Sequence, residues 1–160
     1  MNNIFGPKAK KILIMDIIAA GIFLIHCAVF KLIVSQGDYL RELAAKMLPS
    51  YVVLVVLWGV LEVVVILAQA NHLKTMKDAG EPRTSDREFY RWMLVVNVCM
   101  PINILIRQGD IFGFMAIAAN HVSMTKIVLF FATLIVPFVI MMVAIMIAAK
   151  VLLESKKGKV

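Results

Sequence analysis

The sequence predicts an all-α integral membrane protein: a four-helix bundle with a short amphipathic interfacial helix between the first two spans. Three observations predict it. The chain of 160 residues is 62% hydrophobic, with mean hydropathy +0.91, whereas soluble domains are about 45–50% apolar. Four long apolar segments recur along it, and a bilayer core of roughly 30 Å needs about 20 apolar residues in a helix. No segment alternates with a period of two, which removes a barrel. Backbone in lipid must satisfy its own hydrogen bonds, so the segments are expected to be helices. A single membrane domain over residues 1–160 follows, with spans at about 12–35, 50–70, 88–107 and 126–150.

The first segment, Ile12–Ser35, is interrupted by Asp16 and Lys31. Next comes Asp38–Met47, where Tyr39, Leu40, Leu43, Ala44 and Met47 recur at helical spacing opposite Arg41, Glu42 and Lys46. Ser35-Gln36-Gly37 precedes this stretch and Pro49 follows it. The pattern predicts a short helix lying on the outer membrane face. The second segment, Ser50–Ala70, carries one charge, Glu62. Gly80-Glu81-Pro82 then breaks the helix, and Ser85 with Glu88 forms an S-x-x-E capping box for the next one. The third segment, Glu88–Arg107, is charge-free over Trp92–Ile106. Gln108-Gly109-Asp110 is expected to end it, leaving Ile111–Ala119 as an interfacial or shallowly re-entrant piece. The fourth, Ile127–Ala149, carries no charge. Pro101 and Pro137 fall within spans and read as kinks supported by neighbouring helices.

The net charge of +7 must sit outside the spans. Lys8, Lys10, Lys11, Lys74, Lys77, Arg83, Arg87, Arg91, Lys150, Lys156, Lys157 and Lys159 fall on one side of a four-span arrangement, and Lys31, Arg41, Lys46, Arg107 and Lys126 on the other. That asymmetry places both termini and the middle loop in the cytoplasm of a multi-pass cell-membrane protein. The basic loops are expected to attract anionic lipid headgroups. Nucleic acid is not an expected partner, because no compact basic domain exists to carry it. Beyond the bilayer, the expected partner is another protein or a second copy of the chain.

Function is sought first at Glu62, near the middle of its segment. A charge there costs at least about 2.5 kcal/mol on insertion scales, so its side chain should face protein or water. At about 100° per residue, Tyr51, Val55, Trp58, Ile66 and Gln69 share its face. Asp16, Ala20, Phe23 and Cys27 align on the first helix, with Ala19 and His26 to one side; Tyr90, Asn97, Pro101 and Ile104 align on the third. Glu62 should lie near the depth of Asn97 and somewhat inside His26, with Asp16 deeper, near Gln69. Asn97 is therefore the expected neutral partner of Glu62, and His26 its one basic partner within the membrane. The intramembrane polar candidates are Glu62, Asn97, His26, Asp16 and Gln69.

Enzymatic chemistry is not expected. The sequence has no G-x-S-x-G, no H-E-x-x-H and no Gly-rich phosphate cradle. Cys27 and Cys99 lie in apolar runs outside any C-x-x-C, so neither a metal site nor a disulfide is expected. His26 stands where a lipoprotein box needs a small residue before Cys27, so neither lipidation nor a cleaved leader is expected. The eleven methionines read as soft packing, and no cofactor is expected.

The stretch Gly80-Glu81-Pro82-Arg83-Thr84-Ser85-Asp86, after the second segment, resembles the turn of a broad bacterial family of small four-helix membrane proteins. Their function is uncharacterised, and they are often encoded beside a tiny helix-turn-helix regulator. The family usually has an aromatic residue after the proline, where Arg83 stands here, and an acidic tail where this chain has Leu152-Leu153-Glu154-Ser155-Lys156-Lys157. The resemblance implies a bacterial inner-membrane protein and brings no catalytic residues. Two functional readings follow: a non-enzymatic accessory or regulatory membrane protein acting through a protein partner, or a small transporter or channel subunit using Glu62 as a proton- or cation-coupling group.

Overall fold

The computed structural model describes the backbone of residues 5–79 and 84–157. Every regular element among them is a helix: α1 (Phe5–Val34), α2 (Asp38–Met47), α3 (Pro49–Ala79), α4 (Thr84–Ala118) and α5 (Met124–Lys157). Three of them contain a stretch long and apolar enough to cross a membrane: Lys8–Val34, Tyr90–Ala118 and Met124–Glu154. The corresponding stretch of α3, Val56–Asn71, is shorter among the described residues.

Cross-helix bonds fix the directions of the long helices. Lys8 of α1 meets Glu154 of α5 at 2.9 Å, while His26 meets Thr133 at 3.0 Å. The two helices are thus antiparallel. Asp16–Gln69 and His26–Tyr51 make α1 and α3 antiparallel in the same way. α4 sets Met93 beside Gln69, and Ile111 in a cluster with Tyr51, so it runs against α3. The described chain therefore starts and finishes at one end of the helix packing, and α2 lies at the other. α1 packs most extensively along α5, where Ala9, Ala19, Ala144 and Ala148 are all buried. Small side chains of this kind let helix backbones approach closely.

Three apolar clusters follow one another along the molecule. At the α2 end, Ile33, Leu40, Leu48, Ile111, Phe114 and Phe130 pack together. Ala19, Phe23, Trp58 and Met141 form the middle cluster. At the far end lie Ile12, Tyr90, Met93 and Val151 with the alanines of α1 and α5.

α1 stops where side chains take over its last carbonyls: Ser35 Oγ and Gln36 Nε2 both donate to the Leu32 carbonyl at 3.1 Å. Gly37 is extended, and α2 begins at Asp38. The amphipathic pattern of α2 is realised as packing, with Leu40 and Ala44 buried and Arg41, Glu42 and Lys46 exposed. Met47 comes so close to α4 that a Cβ on Gly113 would stand 3.1 Å from its Cε.

One expected boundary is corrected. Gln108-Gly109-Asp110 does not end the third segment; α4 runs unbroken from Thr84 to Ala118. A glycine within a helix costs about 1 kcal/mol relative to alanine. Burying one large apolar side chain away from water is worth about 1.5–3 kcal/mol, and continuing the helix buries Ile111, Phe114 and Met115. Arg107 also bridges the glycine to Asp110 at 3.3 Å. The stretch Ile111–Ala119 is thus neither a separate interfacial piece nor re-entrant, but the last turns of α4. The capping box is left open: α4 begins at Thr84, one residue before Ser85. Gly80–Arg83 and the side chains of Ser85 and Glu88 lie outside the described residues.

Candidate functional site

Among the described residues, the buried polar side chains fall into two layers, separated by the middle apolar cluster. The layer nearer the α2 end joins α1, α3 and α5. His26 Nδ1 lies 3.0 Å from Thr133 Oγ1, and His26 Nε2 lies 2.6 Å from the Tyr51 hydroxyl. Thr133 Oγ1 turns its own proton back to the helix, with the carbonyls of Leu129 at 2.8 Å and Phe130 at 3.1 Å. It therefore accepts from His26 Nδ1–H, which leaves Nε2 to accept from Tyr51 O–H. The hydrogen-bond network assigns this neutral tautomer, with the ring against Phe130 at 4.7 Å between centroids. Each of these polar groups has a partner.

The middle cluster is packed from apolar side chains. Phe23 meets Trp58 edge-on, with ring centroids 4.3 Å apart and planes at 72°. Ala19 and Met141 close the same layer from α1 and α5.

The second layer joins α1, α3 and α4. Gln69 Nε2 donates to Asp16 Oδ2 at 2.8 Å and is also directed at the Met93 sulfur. Asn97 lies beside the same Asp16 carboxyl, but its amide donates to its own helix, to the Met93 carbonyl at 3.0 Å. Glu62 is 1% exposed and lies within electrostatic range of Asp16, which is fully buried. Neither oxygen of Glu62 has a hydrogen-bond partner, and Asp16 Oδ1, Gln69 Oε1, Asn97 Oδ1 and Trp58 Nε1 share that condition.

The five candidates from the sequence thus divide. Asp16, Glu62, Gln69 and Asn97 gather in one layer, with Asp16 and Gln69 in direct contact. His26 is in the other layer, so it is not the basic partner of Glu62. Asn97 is not bonded to Glu62 either; its amide is used within α4, one turn back. Asp16, at the depth of Gln69 as expected, is still within electrostatic range of Glu62. Thr133 was missed, although it is the one hydrogen-bonding side chain in Ile127–Ala149. In a run otherwise wholly apolar, that isolation is the signal that could have found it.

The two prolines within helices bear on these layers. A proline at position i removes the hydrogen bond to the carbonyl of i−4. Pro101 in α4 therefore deprives Asn97 of its helical donor, and Pro137 in α5 does the same to Thr133. Each freed carbonyl belongs to a polar residue of one layer.

No group of three His, Cys, Asp or Glu able to hold a metal ion occurs among the described residues. Cys27 and Cys99 are free thiols. In comparisons with known proteins, no family model, curated protein or solved structure matches the chain. The class defined by fold and composition is an all-helical protein with three helices long and apolar enough to cross a membrane.

Proposed function

We propose that the protein is a small proton- or cation-coupled carrier or channel subunit of the cell membrane, with Glu62 and Asp16 as its coupling groups. In this reading α3 is a fourth span. Its 31 residues reach about 46 Å at 1.5 Å each, more than a bilayer core needs. α1, α3, α4 and α5 are then a four-helix membrane bundle, α2 is an outer interfacial helix, and both termini are cytoplasmic. Single cysteines at Ser35 and Ser85, in a background lacking Cys27 and Cys99, test the orientation. An impermeant thiol reagent outside intact cells should label position 35 and spare position 85.

The observation that carries the reading is Glu62: fully buried, unpartnered at both oxygens and within reach of a second buried acid. A buried charge without a partner is strongly unfavourable, so the two acids must hold protons or a cation whenever the site is closed. Retaining them there is a cost that a merely packed seam could avoid with apolar residues. A protein partner acting through Glu62 fits less well, because a donor on another chain cannot reach a side chain 1% exposed. The test is proton and monovalent-cation flux in liposomes, for wild type and Glu62→Gln. Flux in wild type that is lost in Glu62→Gln supports the reading. No flux from wild type under a proton or sodium gradient returns the protein to the accessory role, with a protein partner or a second copy as its target.

A further inference from the structure

We propose that the Asp16–Glu62 layer is a two-proton site, both acids being neutral in the state described here. The inference rests on the coupling reading above and names its ligand. Five side-chain oxygens in the layer lack a donor: Asp16 Oδ1, both oxygens of Glu62, Gln69 Oε1 and Asn97 Oδ1. One donor, Trp58 Nε1–H, lacks an acceptor. Trp58 stands one helical turn from Glu62, and side chains four apart share a helix face. The Asn97 amide has a second N–H beyond the one on the Met93 carbonyl, and the backbone carbonyl of Asn97, freed by Pro101, is a further acceptor, so with both acids ionised six acceptors face two donors.

Each proton added to a carboxyl turns one acceptor into a donor. One proton leaves five acceptors against three donors. Two protons give four of each: acid hydrogens on Asp16 and Glu62, the indole N–H and the second Asn97 N–H, against one Glu62 oxygen, the amide oxygens of Gln69 and Asn97 and the Asn97 backbone carbonyl. Ionised acids would instead require a compensating cation. Among the described side chains no Lys, Arg or His supplies one: α4 has no charge over Trp92–Ile106 and α5 none over Ile127–Ala149. His26 is committed to Tyr51 and Thr133, Lys8 and Glu154 pair with each other, and among the described residues the remaining buried titratable group at this end is the phenol Tyr90. Protons need no cavity, which suits residues packed to 0–2% exposure.

The test is a count. Wild type, Asp16→Asn, Glu62→Gln and the double variant are reconstituted in nanodiscs and taken from neutral to strongly alkaline pH. Released protons are measured with an indicator dye, and protonated carboxyls by their infrared carbonyl bands. Each single variant should release one proton fewer per chain than wild type, and the double variant two fewer. Each should also lose a different infrared band. Asp16→Glu, which keeps the acid, should shift its band rather than lose it; that variant decides the matter if Asp16→Asn does not fold. Loss of the same band in both single variants, or a deficit of one proton in the double variant, would overturn the two-proton assignment in favour of one shared proton. An Asp16 band absent from wild type would overturn it too. Two protons bound without any flux in liposomes leaves the site standing and removes the carrier reading. One proton bound with Glu62-dependent flux does the reverse.

Discussion

The two polar layers use similar materials to opposite ends. In the His26–Tyr51–Thr133 layer, every donor meets an acceptor and the chain of bonds closes on the backbone of α5. In the Asp16–Glu62 layer, five buried side-chain oxygens have no partner, and neither has the Trp58 indole nitrogen at its border. They share α1 and α3, with α5 completing the first and α4 the second, and Phe23, Trp58 and Met141 separate them. Native proteins pair nearly all buried polar groups, because each one left unpaired costs about 1–3 kcal/mol. A satisfied network therefore reads as structure. An unsatisfied one in the same interior reads as a site whose ligand changes its hydrogen-bond count.

The sharpest way to break the comparison is to remove the centre of the satisfied layer. His26→Ala leaves the Tyr51 hydroxyl and Thr133 without their partner and opens a cavity beside Phe130. We expect a loss of about 2–4 kcal/mol in unfolding experiments in detergent, while the folded fraction in liposomes keeps its flux. Loss of flux at unchanged stability would erase the division between the layers.

Tyr51→Phe is a smaller test of the same layer. It removes only the O–H that donates to Nε2 and should cost about 1–3 kcal/mol. Thr133→Val should cost less, about 1 kcal/mol, because the His26 ring also lies against the Phe130 carbonyl, a substitute acceptor. An equal loss for both variants would contradict the tautomer assigned here.

Glu62→Gln should alter stability by less than about 0.5 kcal/mol, since the amide keeps both a donor and an acceptor where a neutral acid had them. Flux should disappear. The layer that is poorest in hydrogen bonds should thus tolerate an isosteric change best, and its function should tolerate it least.

What the sequence made legible follows the physics of each signal. Glu62 was visible because one charge in a run of apolar residues is costly wherever it points. Asp16 and Gln69 could be brought together because helix rise converts residue number into depth. The partners of Glu62 could not be read, because depth does not give the rotation of one helix about its neighbour. That rotation sends Asn97 back to the Met93 carbonyl and His26 towards α5. Gly109 misled for another reason. Its local penalty is real, but the burial of Ile111, Phe114 and Met115 beyond it decides the helix, and those contacts are made with α1, α2 and α5. The helical character of Asp38–Met47 was written in its pattern, since Leu40 and Ala44 face inward at the spacing that any helix imposes.

The smallest expected effect comes from Gly59→Ala. Gly59 lies on α3 between Trp58 and Glu62, and a Cβ built there meets no atom within 4 Å. Nothing in its surroundings requires glycine. Alanine should stiffen the helix and gain up to about 1 kcal/mol by propensity alone, read as a small rise in the detergent unfolding midpoint. It adds no polar group and removes none, so both layers keep their bonds, and proton flux should match wild type. A fall in flux with raised stability would mean that α3 must bend at Gly59 for Glu62 to exchange its proton. The difference between the layers would then lie in how the helix moves as well as in how its side chains pair.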